Sequence, residues 1–421
     1  MADPMRLHKL RIGEGRERAR RALFVLSVAA IAAATGGTCT HEPMPPLSHD
    51  AYVWQRVWTD EVGRAVAASR SRVRAWRVLA GEVHARGRLA RISVPPAPLT
   101  QNGDSVFLVI RMNGQVTGWE TSALTRDILN LLDEWRKAGA SVVGLEIDHD
   151  CATHLLARYA SLLADIRHVL PEGIALSITA LPTWIGDRHL LDVLARIDEA
   201  VLQVHAVSSP ESGLFDAERA LAWTRAWGEL SDVSFRVALP TYGSRVVWND
   251  SGRVVGVESE VPLGADGPRS REIFADPVEI AAFLERLWVE RPRKLAGIAW
   301  FRLPAEGDRR AWSLSTWHSV MDGSTLETRF AVRAVPANLP GVFDVLLKNE
   351  GPVDARLPAE LRVVAARGCA ASDALANYLA HAHGGGVDFK LVEPALLKAF
   401  QQRVVGWVRC SSGGVQVHAD L

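Results

Sequence analysis

Glu146, Asp148 and Asp150 stand at two-residue spacing in the run Val142-Val143-Gly144-Leu145-Glu146-Ile147-Asp148-His149-Asp150. On an extended chain this spacing sends the three carboxyls to one face and Leu145, Ile147 and His149 to the other. Apolar residues on both sides of Gly144, and the helical pattern that follows, mark an interior strand. Carboxylates crowded together away from water are unfavourable unless they are paired or protonated. Such crowding suits a reactive site, because like-charged neighbours raise the pKa of one carboxyl and keep a proton available near neutral pH. Core acids held by arginines fit the same pattern.

An interior strand needs a sheet around it. From Tyr52 to Pro304, short apolar runs alternate with amphipathic stretches, the pattern of βα units and a parallel sheet. The strand candidates are Tyr52 to Trp58, Trp76 to Glu82, Ser105 to Met112, the acid strand, Ala175 to Leu181, Glu199 to His205, Ser234 to Pro240 and Leu295 to Phe301. Eight strands close a (β/α)8 barrel, so the expected fold is α/β, a TIM-like barrel followed by a small β-rich C-terminal domain. Helices are expected over Ser122 to Gly139, over Thr153 to Leu170 with Thr153 as N-cap, and over Asp276 to Glu290. A hairpin is expected at Val246 to Val255, over the barrel mouth. Past Met321 the runs Phe330 to Val335, Phe343 to Gly351 and Val404 to Val408 read as strands, with one short helix near Ala371 to Ala380.

The chain has 421 residues, 48% of them hydrophobic, and its 48 Lys+Arg balance 48 Asp+Glu. That balance argues against a nucleic-acid partner held through phosphate contacts. Basic residues gather at the start (Arg11, Arg16, Arg18, Arg20, Arg21) ahead of the apolar run Ala22 to Ala34, the layout of an export signal too short to span a bilayer comfortably. Arg20-Arg21-Ala22-Leu23-Phe24 resembles a twin-arginine motif. Gly36-Gly37-Thr38-Cys39 places Cys39 as a lipoprotein signal does, making it a candidate for lipidation and membrane anchoring. The alternative is a plain cleaved signal followed by the Pro-rich spacer His41 to Asp50. The expected divisions are 1–38 export signal, 39–51 linker, 52–321 barrel and 322–421 C-terminal domain, with the mature protein in the periplasm or cell envelope. An oxidising compartment would permit a disulfide between Cys369 and Cys410.

Barrel chemistry gathers at the carboxyl ends of the strands. The residues there are Trp54, Arg56 and Trp58, then Glu82, Arg111 and Asn113, then Asp148 and Asp150, Thr179 with Trp184, Gln203 and His205, Tyr242, and finally Trp300 and Arg302. Aromatic faces stack on the C–H faces of sugar rings while carboxylates and amides bind hydroxyls, so the expected partner is a glycan or polysaccharide, with no cofactor and no metal.

Gly144-Leu145-Glu146-Ile147-Asp148-His149-Asp150 resembles the strand-four signature of the chitinase-like glycoside hydrolases, Asp-Gly-x-Asp-x-Asp-x-Glu. In that family the final Glu is the general acid and the preceding Asp orients the substrate acetamido group, whose oxygen is the nucleophile. The resemblance therefore implies Asp150 as acid, Asp148 as its partner and Glu146 in support. Trp300 would lie under the sugar, and Tyr242 would supply the family's tyrosine. Val143 stands where the first Asp belongs, and the shorter Asp150 would act from about one methylene further back. The runs Val53-Trp54-Gln55-Arg56, Ile147 to Cys151, Ser177 to Trp184 and Val201 to His205 resemble a bacterial family of exported barrel proteins of unknown function.

Three readings follow. The first is a glycoside hydrolase of envelope or extracellular glycans. The second is a non-catalytic glycan-binding barrel, favoured by the change to Asp150. The third is a metal-dependent hydrolase using Asp148, Asp150 and His205, which lacks any His-x-x-x-His pair.

Overall fold

A computed structural model describes residues 46–420 apart from 85–86, 114–115, 117, 206–212, 260–266 and 412–413. The export signal, the twin-arginine motif and Cys39 lie outside the described residues.

Eight parallel strands form the first domain: β1 (Ser48–Val53), β2 (Ala75–Val83), β3 (Ser105–Met112), β4 (Ser141–His149), β5 (Ala175–Ala180), β6 (Glu199–Gln203), β7 (Ser234–Pro240) and β8 (Leu295–Phe301). Each pairs with the next, and β1 pairs with both β2 and β8, closing the barrel. Helices pack outside it. In Thr121–Lys137 the residues Leu124, Ile128, Leu131, Leu132 and Trp135 are buried at helical spacing. Asp276 caps Pro277–Glu290 by accepting from the Val278 backbone N–H at 2.9 Å. Thr153 is not a cap of the α-helix it precedes. It opens a 3₁₀ turn (Thr153–Leu155), and the α-helix runs Leu156–Val169.

The first strand begins at Ser48, inside the segment expected to be linker. The Pro-rich spacer was expected to run to Asp50 and the strand to span Tyr52 to Trp58, but Asp50 points into the barrel and is held there by Arg74 and Arg77, and the strand ends at Val53. The expected hairpin is the centre of a three-stranded antiparallel sheet, with Gly243–Trp248 flanked by Val254–Glu258 and Arg269–Phe274.

The C-terminal domain has two four-stranded antiparallel sheets sharing one core, in which Val345, Leu347, Val405 and Val408 meet Leu361, Val363, Val387 and Phe389. The expected helix near Ala371 to Ala380 is instead two strands, Cys369–Ala374 and Tyr378–His383. Its Ala- and Leu-rich composition favours helix, but pairing with Gln402–Cys410 and Gly386–Leu391 overrides that weak preference. Cys369 and Cys410 face each other across paired strands and form a disulfide, with Cα atoms 3.9 Å apart.

Candidate active site

The barrel interior is layered, and the three acids of β4 fall into different layers. Glu146 is fully buried: Tyr52 OH donates to it at 2.6 Å, Ser177 Oγ at 3.0 Å, and Arg77 pairs with it directly. Arg77 also reaches Asp50 at 2.8 Å and pairs with Glu199, while Arg236 bridges Glu199 at 3.0 Å and Asp50 at 3.1 Å. Burial alone would raise the Asp50 pKa, but Arg77, Arg236 and Arg74 outweigh it and hold the carboxyl below its usual range. This lower layer is a sealed ionic core. Glu146 therefore does not join the site expected of it, and for this residue the arginine-held arrangement is the one observed.

Two residues further on, Asp148 lines a cleft of about 880 Å³ at the carboxyl ends of the strands. It is 5% exposed, and Thr179 Oγ1 donates to its Oδ1 at 2.7 Å. Burial, and then the charge of Asp150, push its pKa up to about 7, against the opposing pull of Arg111, whose guanidinium is 4.0 Å away. Asp150 lies just past the end of β4 and is exposed in the same cleft, with Gln203 Nε2 3.4 Å from its Oδ1. The arrangement pairs a buried, proton-retaining carboxyl with a solvent-facing one.

Trp54, Arg56, Glu82, Arg111, Asn113, Gln203, His205, Tyr242 and Arg302 line the cleft with these acids. Arg56 pairs with Glu82 at 2.6 Å, and the Arg111 guanidinium lies 5.4 Å from the Trp54 ring centre. Burial lowers the His205 pKa, so the ring is neutral at pH 7. Its Nδ1 lies 3.1 Å from the Ala238 carbonyl, which can only accept, so Nδ1 carries the proton and Nε2 remains an acceptor.

Three further residues expected at the site lie elsewhere, the first being Trp58, which packs half-buried against the hydrophobic core. Trp184 is fully buried and donates to the Cys151 carbonyl at 2.9 Å, packing beside Tyr159 on the outside of the barrel. Trp300 points outward from β8 into a cluster with His49, Trp312 and Trp317. The β8 aromatic in the cleft is Phe301, 4.9 Å from Trp54 and stacked on His205 at 5.7 Å. The signal was present: Gly297 and Ala299 are the small residues that a crowded barrel interior demands, and their parity points Phe301, not Trp300, inward. Tyr52, Thr179 and Ser259 also line the cleft. Among the described residues no group of three His, Cys, Asp or Glu side chains converges to hold a metal ion.

A closed parallel barrel with helices outside and a polar, aromatic-lined cleft at its carboxyl ends makes the first domain a (β/α)8 TIM barrel. Residues 102–306 match the family described as a domain of unknown function (DUF3142), and residues 332–411 match a second described in the same way (DUF8456). Among solved structures, the chain is similar to the spore cortex-lytic enzyme SleL of Bacillus cereus (15% identity, 66% of this chain and 75% of that one, TM-score 0.48). It is also similar to a chitinase from Chromobacterium violaceum (12% identity, 66% and 99%, TM-score 0.48) and one from Bacteroides thetaiotaomicron (12%, 66% and 97%, TM-score 0.48). No curated protein sequence matches the chain.

Proposed function

We propose that the protein is a glycan-active hydrolase of the cell envelope, with Asp150 as general acid and Asp148 as its partner. The observation that carries this is the unequal pair at the end of β4, a buried carboxyl with its pKa raised to about 7 beside an exposed one in a single cleft. At pH 7 Asp148 keeps its proton about half of the time. Asp150 then delivers a proton to the glycosidic oxygen as its bond to C1 breaks, water adds at C1 and gives its proton back to the Asp150 carboxylate, and Asp148, oriented by Thr179, holds the substrate's polar groups. Trp54, Tyr242 and Phe301 give the sugar apolar surfaces, while Asn113, Gln203 and His205 offer hydrogen bonds to hydroxyls.

Export is part of the proposal. It rests on the basic-then-apolar N-terminus and on the disulfide, a bond that oxidising compartments favour. Membrane attachment through Cys39 belongs to the same reading. The test is a digest of a broad panel of bacterial glycans with reducing ends counted. Release of reducing ends by the wild type and none by Asp150→Asn supports hydrolysis. Glycan binding without release by either protein favours the non-catalytic module, which the shortened acid at position 150 already suggests.

A further inference from the structure

The loop after β8 carries an aspartate that joins the cleft to the C-terminal domain. Asp308 Oδ1 accepts the backbone N–H groups of Arg310 and Ala311, each at 3.1 Å, which fixes the carboxylate. Its other oxygen accepts from Arg302 Nε at 3.1 Å and also from Nη2. From the C-terminal domain, Lys398 Nζ donates to the Asp308 backbone carbonyl at 2.6 Å. Arg302 is 2% exposed and is held further by the Ser259 carbonyl, 3.2 Å from its Nη2. Its guanidinium carbon lies 5.3 Å from the centre of the Tyr242 ring, and its Nη1 is buried with no hydrogen-bond partner among the described residues. A guanidinium so placed has three compensations for its lost hydration, the Asp308 carboxylate, the Ser259 carbonyl and the ring face. Tyr242 in turn stands edge-on to His205 and Phe301, two other walls of the cleft.

We propose that Asp308, seated by Lys398 of the C-terminal domain, is a positioning residue that locks Arg302 over Tyr242 and so sets the wall on which the cleft's ligand lies. The identity of that ligand as a glycan rests on the function proposed above, but the positioning itself does not. The C-terminal domain thereby completes the cleft without entering it.

The test uses the full chain labelled with 3-fluorotyrosine. Its four tyrosines, Tyr52, Tyr159, Tyr242 and Tyr378, give four fluorine resonances, the third assigned by Tyr242→Phe. In Asp308→Asn the amide oxygen can still accept the two backbone N–H groups, so the loop is kept and only the acceptor for Arg302 is lost. The Tyr242 resonance should shift or broaden in Asp308→Asn and in Lys398→Met and return in Lys398→Arg, while those of Tyr52 and Tyr159 stay in place. Affinity for chitotetraose or soluble peptidoglycan fragments should fall about tenfold in the first two variants, the effect of one charge-assisted hydrogen bond, and recover in Lys398→Arg. An unmoved Tyr242 resonance in folded Asp308→Asn overturns the proposal. If the wild type binds neither probe, the glycan reading fails while the fluorine spectra still decide the positioning.

Discussion

Asp148 and Asp150 have identical chemistry and line one cleft two positions apart, but only Asp148 is buried in its wall. The folded-state pKa of Asp148, about 7, lies above its ordinary value of 3.8, so between those limits the native state binds more protons than the unfolded chain. Stability from this group is therefore lost as pH rises through that window. Asp148→Asn removes the penalty, and urea melts at pH 8 should show the variant more stable than wild type, by at most about 4 kcal/mol, with the gain vanishing near pH 4. An equal difference at both pH values would contradict the raised pKa. On activity the two sites should separate: Asp150→Asn abolishes turnover with the fold intact, whereas Asp148→Asn lowers the rate about 10²-fold or more, read from initial rates across pH.

At the scale of an element, β4 is shaped by what it lacks as much as by its acids. A Cβ on Gly144 would stand 2.2 Å from the Phe107 ring, which fills the floor of the barrel and carries the Arg77 guanidinium 4.5 Å from its centre. Gly144→Ala should overpack this layer and destabilise the protein by about 1–3 kcal/mol in chemical denaturation. Arg77→Met is the stronger perturbation, because it strips a shared partner from Asp50, Glu146 and Glu199 in a dry interior. The expected loss is roughly 3–5 kcal/mol, partly recovered by acidification as the stranded carboxyls take up protons. A melt indistinguishable from wild type would mean that the core does not need its arginine.

Across the whole molecule, the barrel and the C-terminal domain meet through polar contacts. Asp354 accepts the backbone N–H of Ser313 and of Ala399, each at 2.8 Å, and Arg356 pairs with Asp276, the cap of the Pro277–Glu290 helix. Within one of the C-terminal sheets, the disulfide staples two neighbouring strands across 41 residues of sequence. On the chain-entropy model, opening that loop in a Cys369→Ala/Cys410→Ala variant should cost roughly 3–4 kcal/mol, seen as a lower melting temperature confined to the C-terminal domain's transition. If ligand binding in the cleft also weakens, the two domains act as one functional unit.

Period-two alternation and the spacing of apolar runs are local properties, and they were enough to place seven of the eight barrel strands, the main outer helices, the β-rich end and the cleft-facing Asp148 and Asp150, whereas the first strand, expected at Tyr52 to Trp58, runs Ser48–Val53 and the pairing of Cys369 with Cys410 was read from their shared place near the C-terminus. Alternation and spacing could not determine depth. Glu146, Asp148 and Asp150 share one face of one strand, yet the first meets Arg77, contributed by β2 far away in sequence, and the last meets water. Parity decided against Trp300, and packing of an α-helix against the barrel decided against Trp184; both are tryptophans beside strand ends, where type alone suggested sugar platforms. Asp50 and Asp308 were unreadable for the same reason. A buried charge is tolerable only beside its partner, and those partners, Arg77, Arg236 and Arg302, are brought together by closure of the barrel rather than by any spacing along the chain.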